Sequence, residues 1–188
     1  NIDKIKNLIN KENVLVGIEP SSLLSFRDEY PSLVEEDIEQ LNSNIYLFDE
    51  FFAKEIEQNN ISAEQFTEKE EKILLHGHCQ QKALIGTEYM EKMLSLPKNY
   101  SVEVIPSGCC GMAGSYGYEK RHYEKSKQIA DLHLTKAINK ADKSTIISAP
   151  GTSCREQIKH FTQRKALHPI EIMYNALKTK INYESSLP

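Results

Sequence analysis

Four short runs of β-branched and aliphatic residues, at 14–18, 73–75, 102–105 and 145–148, are near-continuously apolar and are separated by segments whose apolar residues recur at helical spacing. Strands buried on both faces read this way, and their alternation with helices predicts an α/β fold with a largely parallel sheet. Three of the runs lead within a few residues into cysteine: Cys79 after the second, Cys109 and Cys110 after the third, Cys154 after the fourth. Parallel strands present their carboxyl ends along one edge, and ligands sit in the crevice outside it. Thiols far apart in sequence are therefore expected to converge.

Free cysteine is often simply a small buried hydrophobe. The neighbours argue otherwise, because Gly108 and Gly111 flank one pair and Gly151-Thr152-Ser153 precede the last thiol, all turn-forming residues. Four cysteines without a signal peptide do not make a secreted disulfide framework, and a reducing, cytoplasmic setting with metal or redox use is expected instead. The gaps are 29 residues from Cys79 to the pair and 43 from the pair to Cys154. Zinc knuckles use close C-x-x-C pairs, whereas these gaps suit a strand–helix–strand unit between ligands. Two adjacent cysteines can face one site only on a bent backbone, a freedom assigned to Gly108 and Gly111.

The segment 108–117 has a glycine at nearly every third position, but not in the G-x-G-x-x-G or Walker spacing of a phosphate loop. Around thiolates, such glycines let backbone N–H groups approach the sulfurs of an iron–sulfur cluster. His76 and His78 bracket the first thiol in HGHC and are candidates for ligation or for a supporting hydrogen bond. Lys82 and Arg155, near the starts of the following helices, are candidates to offset negative charge. A net charge of -4 with no basic cluster argues against nucleic acid or an anionic membrane as partner. No apolar run approaches the roughly 20 residues of a membrane span.

Helices are predicted at 2–10, 23–29, 33–41, 45–58, 82–95, 119–139, 154–163 and 169–179. Leu47, Phe48, Phe51, Phe52 and Ile56 read as the core face of the fourth. The polar stretch 57–72 reads as a connection between a front unit, 1–66, and a second unit, 67–188, that carries the thiols. A start at Asn1 rather than Met suggests a fragment of a longer protein. The turn Glu19-Pro20-Ser21-Ser22 echoes the turn from Ala149 to Cys154, with Ser22 in the place of the thiol, where it is expected to act as a helix N-cap.

The stretches GIEPSSLLSFRDEY, LLHGHCQQKALIGT, SGCCGMAGSYGYEK, APGTSCREQI and ALHPIEI resemble the cysteine-rich CCG domain found at the C-terminal end of FAD-linked oxidases. More distant relatives are the iron–sulfur subunits of glycolate and lactate oxidation and the B subunit of heterodisulfide reductase. The resemblance covers nearly the whole chain. It implies two Rossmann-like halves and an electron-transfer role beside a flavin domain that oxidises a 2-hydroxy acid, with FAD on that separate domain and other iron–sulfur domains as partners. It implies one cluster, [4Fe-4S], on Cys79, Cys109, Cys110 and Cys154, with His76, His78, Gly108, Gly111, Gly151 and Arg155 around it; the alternative is a structural or docking module that holds zinc on the same thiols, with His78 as a candidate further ligand. Two departures stand out. Gly151 occupies the place of the first cysteine of a C-x-x-C, and Ser22 replaces the cysteine of E-P-S-C, so the front repeat is represented only by a degenerate tail.

Overall fold

The structure, a computed structural model, describes residues 2–35 and 38–179. The fold is α/β, with two sheets that are parallel throughout. In the front half, β1 (Leu15–Gly17) pairs with β2 (Ile45–Leu47). The second sheet contains β3 (Glu71–Leu75), β4 (Tyr100–Val104), β5 (Ile146–Ser148) and β6 (Ala166–Leu167), in the spatial order β4-β3-β5-β6. Among the described residues the two halves are thus unequal, two strands against four.

The helices of the front half are α1 (Ile2–Ile5), α2 (Pro20–Leu23), α3 (Tyr30–Leu33), α4 (Glu39–Asn42) and α5 (Phe48–Glu57). Those of the second are α6 (Cys79–Leu84), α7 (Glu88–Leu94), α8 (Tyr123–Leu132), α9 (Leu134–Lys140), α10 (Thr152–Thr162) and α11 (Pro169–Ala176). Strand β3 lies inside the sheet, and its apolar run explains why. Leu74 points into a core with Leu134, Ile138, Ile147 and Ile158, while Ile73 and Leu75 point the other way, onto Phe52, Met90, Met93, Leu94, Ile172 and Met173. Ile73, Leu74 and Leu75 thus feed two cores in alternation, so the inner end of a strand between helix layers is apolar at successive positions, while Glu71 and Lys72 lie at the end where burial falls away. A third core, with Leu24, Leu41, Ile45 and Leu47, fills the front half. Arg27 grips both oxygens of Glu50 there, at 2.8 and 3.0 Å.

Several boundaries differ from those predicted. Residues 45–47 form β2 rather than the start of a helix: Ile45 and Leu47 are buried and Tyr46 is only half-buried, a period of two. Helix α5 begins at Phe48, where the Glu50 carboxylate accepts the Leu47 N–H at 2.8 Å. Gly86, at φ +80°, ends α6 and splits the predicted 82–95 helix. The 119–139 helix breaks at His133 (φ −139°, ψ −49°). The predicted 2–10 helix shrinks to a single turn; that at 33–41, of which residues 36 and 37 lie outside the described residues, is met by the last residue of α3 and by α4; and β6, two residues long, was not predicted. Within 57–72 the charged residues 68–70 are exposed as expected. Phe66, however, is 2 % exposed in the second core and bridges Leu177, so the segment is pinned.

Topology fixes where a site belongs. The chain leaves β3 toward β4 on one side and leaves β5 toward β6 on the other, so adjacent strands β3 and β5 send their connections in opposite directions. The crevice lies at such a switch point, beyond the carboxyl ends of the strands.

Candidate metal centre

All four cysteines lie at that crevice. The ladder runs on past the strands, with Ile105 N–H donating to Leu75 O and His76 N–H to Ser148 O, both at 2.8 Å, so the three strand ends stay in register. Cys79 opens α6, Cys109 and Cys110 lie in the loop after β4, and Cys154 is the third residue of α10. The thiols form a contact chain, Cys79 to Cys109, Cys109 to Cys110 and Cys110 to Cys154. It passes from the exposed Cys79 through the half-buried Cys109 to the buried Cys110 and Cys154. At its inner end, ligand atoms of His76, Cys110 and Cys154 lie within 4.8 Å of one another.

The loop is shaped for this. Gly111 takes φ +98°, and a Cβ there would lie 2.3 Å from the Ser126 carbonyl oxygen, so only glycine fits. The bend continues through Ala113 (φ +43°) and Gly114 (φ +66°). Gly108 does not share this role: its φ is ordinary and a side chain would meet nothing within 4 Å. Gly111 N–H donates to Cys109 Sγ at 3.3 Å, joined by the N–H of Ala113, while those of Met112 and Gln80 serve Cys110 and Cys79. Ser126 donates to Gly111 O at 2.8 Å, and Gln157 donates to Cys110 O at 3.1 Å. Lys82 Nζ donates to the carbonyls of Ser107 and Gly108, the latter at 2.9 Å, tying α6 to the loop.

The two histidines separate. His76 is fully buried; its Nδ1 is 2.7 Å from Ser107 Oγ, and its Nε2 has no hydrogen-bond partner. His78 is half-buried and packs on Gly151, where a Cβ would lie 2.6 Å from His78 Cδ2 and 3.2 Å from Cys154 Sγ. Arg155, expected to offset charge, donates to the carbonyls of Ala149 and Pro150 and to Thr152 Oγ1, so it clamps the turn before α10. Ser22 does occupy the third position of its helix, as Cys154 does. It is not the N-cap, because α2 starts at Pro20 and the cap position is Glu19; a residue so far inside has helical backbone and cannot cap.

Electrostatics favour a cation. Four thiolates in contact repel one another, and the thiols resolve this by alternating. Bonds from Cys110 and Cys79 pull Cys109 far down, and the bond from Cys110 followed by contact with His76 pulls Cys154 down. Cys79 and Cys110 are pushed up as the donors in these bonds, with burial adding to the effect. Burial lowers Lys82, against the pull of all four cysteines. Soft sulfur donors, N–H groups aimed at them and an unpartnered buried imidazole nitrogen together fit a thiolate-bound metal. Ser107, Ser126 and Gln157, which hold the loop, escaped the sequence reading. Gln157 alone carried a signal, lying one helical turn after Cys154.

The chain is 30% identical over 165 residues to the D-2-hydroxyglutarate dehydrogenase of Escherichia coli (strain K12), a match covering 87% of this chain and 16% of that protein. It is 31% identical over 160 residues to the enzyme of the same name from Pantoea ananatis (strain AJ13355), covering 85% of this chain and 15% of the relative. It is 26% identical over 179 residues to one subunit of the anaerobic glycerol-3-phosphate dehydrogenase of Escherichia coli (strain K12), covering 94% of this chain and 44% of the relative. The chain thus spans between 15% and 44% of the length of these oxidoreductase relatives. No family model and no solved structure matches it.

Proposed function

We propose that this chain is an iron–sulfur-binding, electron-transfer domain of a larger FAD-linked oxidoreductase. The observation that carries the proposal is the convergence of Cys79, Cys109, Cys110 and Cys154 at one sheet edge, with backbone N–H groups directed at their sulfurs. A bound [4Fe-4S] cluster would supply one-electron transfer, and four cysteine thiolates suffice to hold one. The chain's own residues hold and tune the thiolates: Gly111 N–H lowers the charge on Cys109, Lys82 fixes the loop, and His76 supports the buried end. The exposed Cys79 places one end of the thiol chain at the surface, where a redox partner has access.

That the chain covers less than half of each relative supports the role of a domain serving a larger protein, with the flavin site and further iron–sulfur centres elsewhere. Under this reading, residues 1–66 are the tail of a degenerate first CCG repeat plus a helical segment and 67–188 the second repeat, which binds, each half built on a Rossmann-like plan, in a cytoplasmic protein. Among the described residues, no helix is long and apolar enough to cross a membrane.

A second reading is structural zinc, favoured by the approach of His76, Cys110 and Cys154 to within 4.8 Å and by the unpartnered His76 Nε2. Visible absorption of anaerobically reconstituted protein separates the two. A thiolate-to-iron band that bleaches with dithionite is expected; stoichiometric zinc in a colourless protein that accepts no electrons would favour the second reading.

A further inference from the structure

A carboxylate of the front half reaches the thiol site. Glu19 stands at the turn from β1 into α2, and its Oε2 accepts both the N–H and the hydroxyl of Thr152, each at 2.9 Å. Its Oε1 accepts the Ser21 hydroxyl at 3.0 Å. Thr152 opens α10, whose own cap position is Gly151 and therefore has no side chain to offer. An 11-residue helix begins with unpaired N–H groups and a partial positive charge, both of which call for an acceptor. Glu19 supplies it from 133 residues away. Burial alone would raise the Glu19 carboxyl, but the bonds from Thr152 and Ser21 and the nearby His78 outweigh it and hold it below its ordinary value.

What this contact holds in place is Cys154. Two residues beyond Thr152, its thiol sits 2 % exposed against Cys110 and His76. Gly151 leaves no slack, since His78 and the Cys154 sulfur already fill the space a Cβ would need. We propose that Glu19 is a positioning residue for Cys154, a strut from the front half that fixes the first turn of α10 and so the buried end of the thiol cluster. The metal-thiolate reading enters only through the affinity measured below.

Two measurements on the full chain test it: iodoacetamide labelling of Cys154 in the reduced, metal-free protein, located by peptide mass spectrometry, and anaerobic Co(II) titration. Glu19→Ala is expected to speed Cys154 labelling about 2- to 30-fold, as loss of a helix cap implies. It should weaken Co(II) binding about 10- to 100-fold, as loss of a supporting hydrogen bond does. Glu19→Gln keeps an oxygen acceptor and should label much as wild type does. Ile172→Val, which loosens the second core without touching the Glu19–Thr152 contact, should change neither measurement. Labelling of Glu19→Ala at the wild-type rate would overturn the proposal, as would Glu19→Gln as labile as Glu19→Ala, or Ile172→Val reproducing the effect. If Glu19→Ala does not fold, Thr152→Val removes one of the two bonds and should still speed labelling; a wild-type rate there overturns the proposal. If wild type takes up no Co(II), labelling alone decides the role of Glu19, and the metal reading rests on iron and sulfide analysis.

Discussion

Gly111 donates its backbone N–H to the sulfur of Cys109 at 3.3 Å, from a conformation that no residue with a Cβ can share at this place. The same backbone turn that lets two adjacent cysteines face one site thus also serves a hydrogen bond to the first of them. Gly111→Ala should cost about 1–3 kcal/mol, from left-handed backbone and from the clash with the Ser126 carbonyl. It should also displace the N–H from the sulfur. Urea unfolding and metal content of the variant check both parts; wild-type stability would show that the loop relaxes freely.

Cys110→Ser should lower metal occupancy strongly while leaving the metal-free fold close to intact, because the hydroxyl nearly matches the thiol in size but is a poor ligand for a soft metal. Ser22→Ala is the contrast. Ser22 is exposed and caps nothing, so its loss should change stability by less than about 0.5 kcal/mol and leave metal content unchanged. Metal analysis of the two variants side by side tests the assignment of the halves, which fails if Ser22→Ala loses metal and Cys110→Ser does not.

Asp49 is buried against Gln81, whose amide donates to it at 2.7 Å. Burial pushes its carboxyl up to about 6 from an ordinary 3.8, against the pull of that bond and of nearby backbone N–H groups. The folded state therefore holds this proton more tightly than the unfolded chain. The associated stability is full below about pH 4 and is lost as pH rises through about 6. Asp49→Asn removes the titration, so its stability relative to wild type should rise over that window, by up to roughly 3 kcal/mol. Urea midpoints of both proteins at about pH 4 and pH 7 check this; a constant difference would rule it out.

Much of this was legible in the sequence because burial leaves a plain signature, on two faces in the inner strands β3 and β5 and on one face in the edge strand β4, where Ser101 and Glu103 are exposed. The apolar runs before Cys79, Cys109 and Cys154 became β3, β4 and β5, and the turn residues after them marked the edge where the thiols meet. Strand β2 was hidden because Leu47, Phe48, Phe51 and Phe52 continue a helical spacing across the strand-to-helix junction. Strand β6 is too short for any period to register. Gly86 was a visible breaker, whereas the break at His133 has no local cause in composition. The Glu19–Thr152 contact joins residues whose separation no pattern of spacing can bridge. That His76 is fully buried while the half-buried His78 packs on Gly151, each with one ring nitrogen that has no hydrogen-bond partner, likewise exists only in three dimensions.

Iron and acid-labile sulfide analysis of the protein after anaerobic reconstitution decides whether the four thiols hold a cluster. About four of each per chain are expected, since four cysteine thiolates hold one [4Fe-4S] cluster. Reconstituted protein that retains neither iron nor sulfide, with its four thiols intact by titration, would contradict the iron–sulfur proposal.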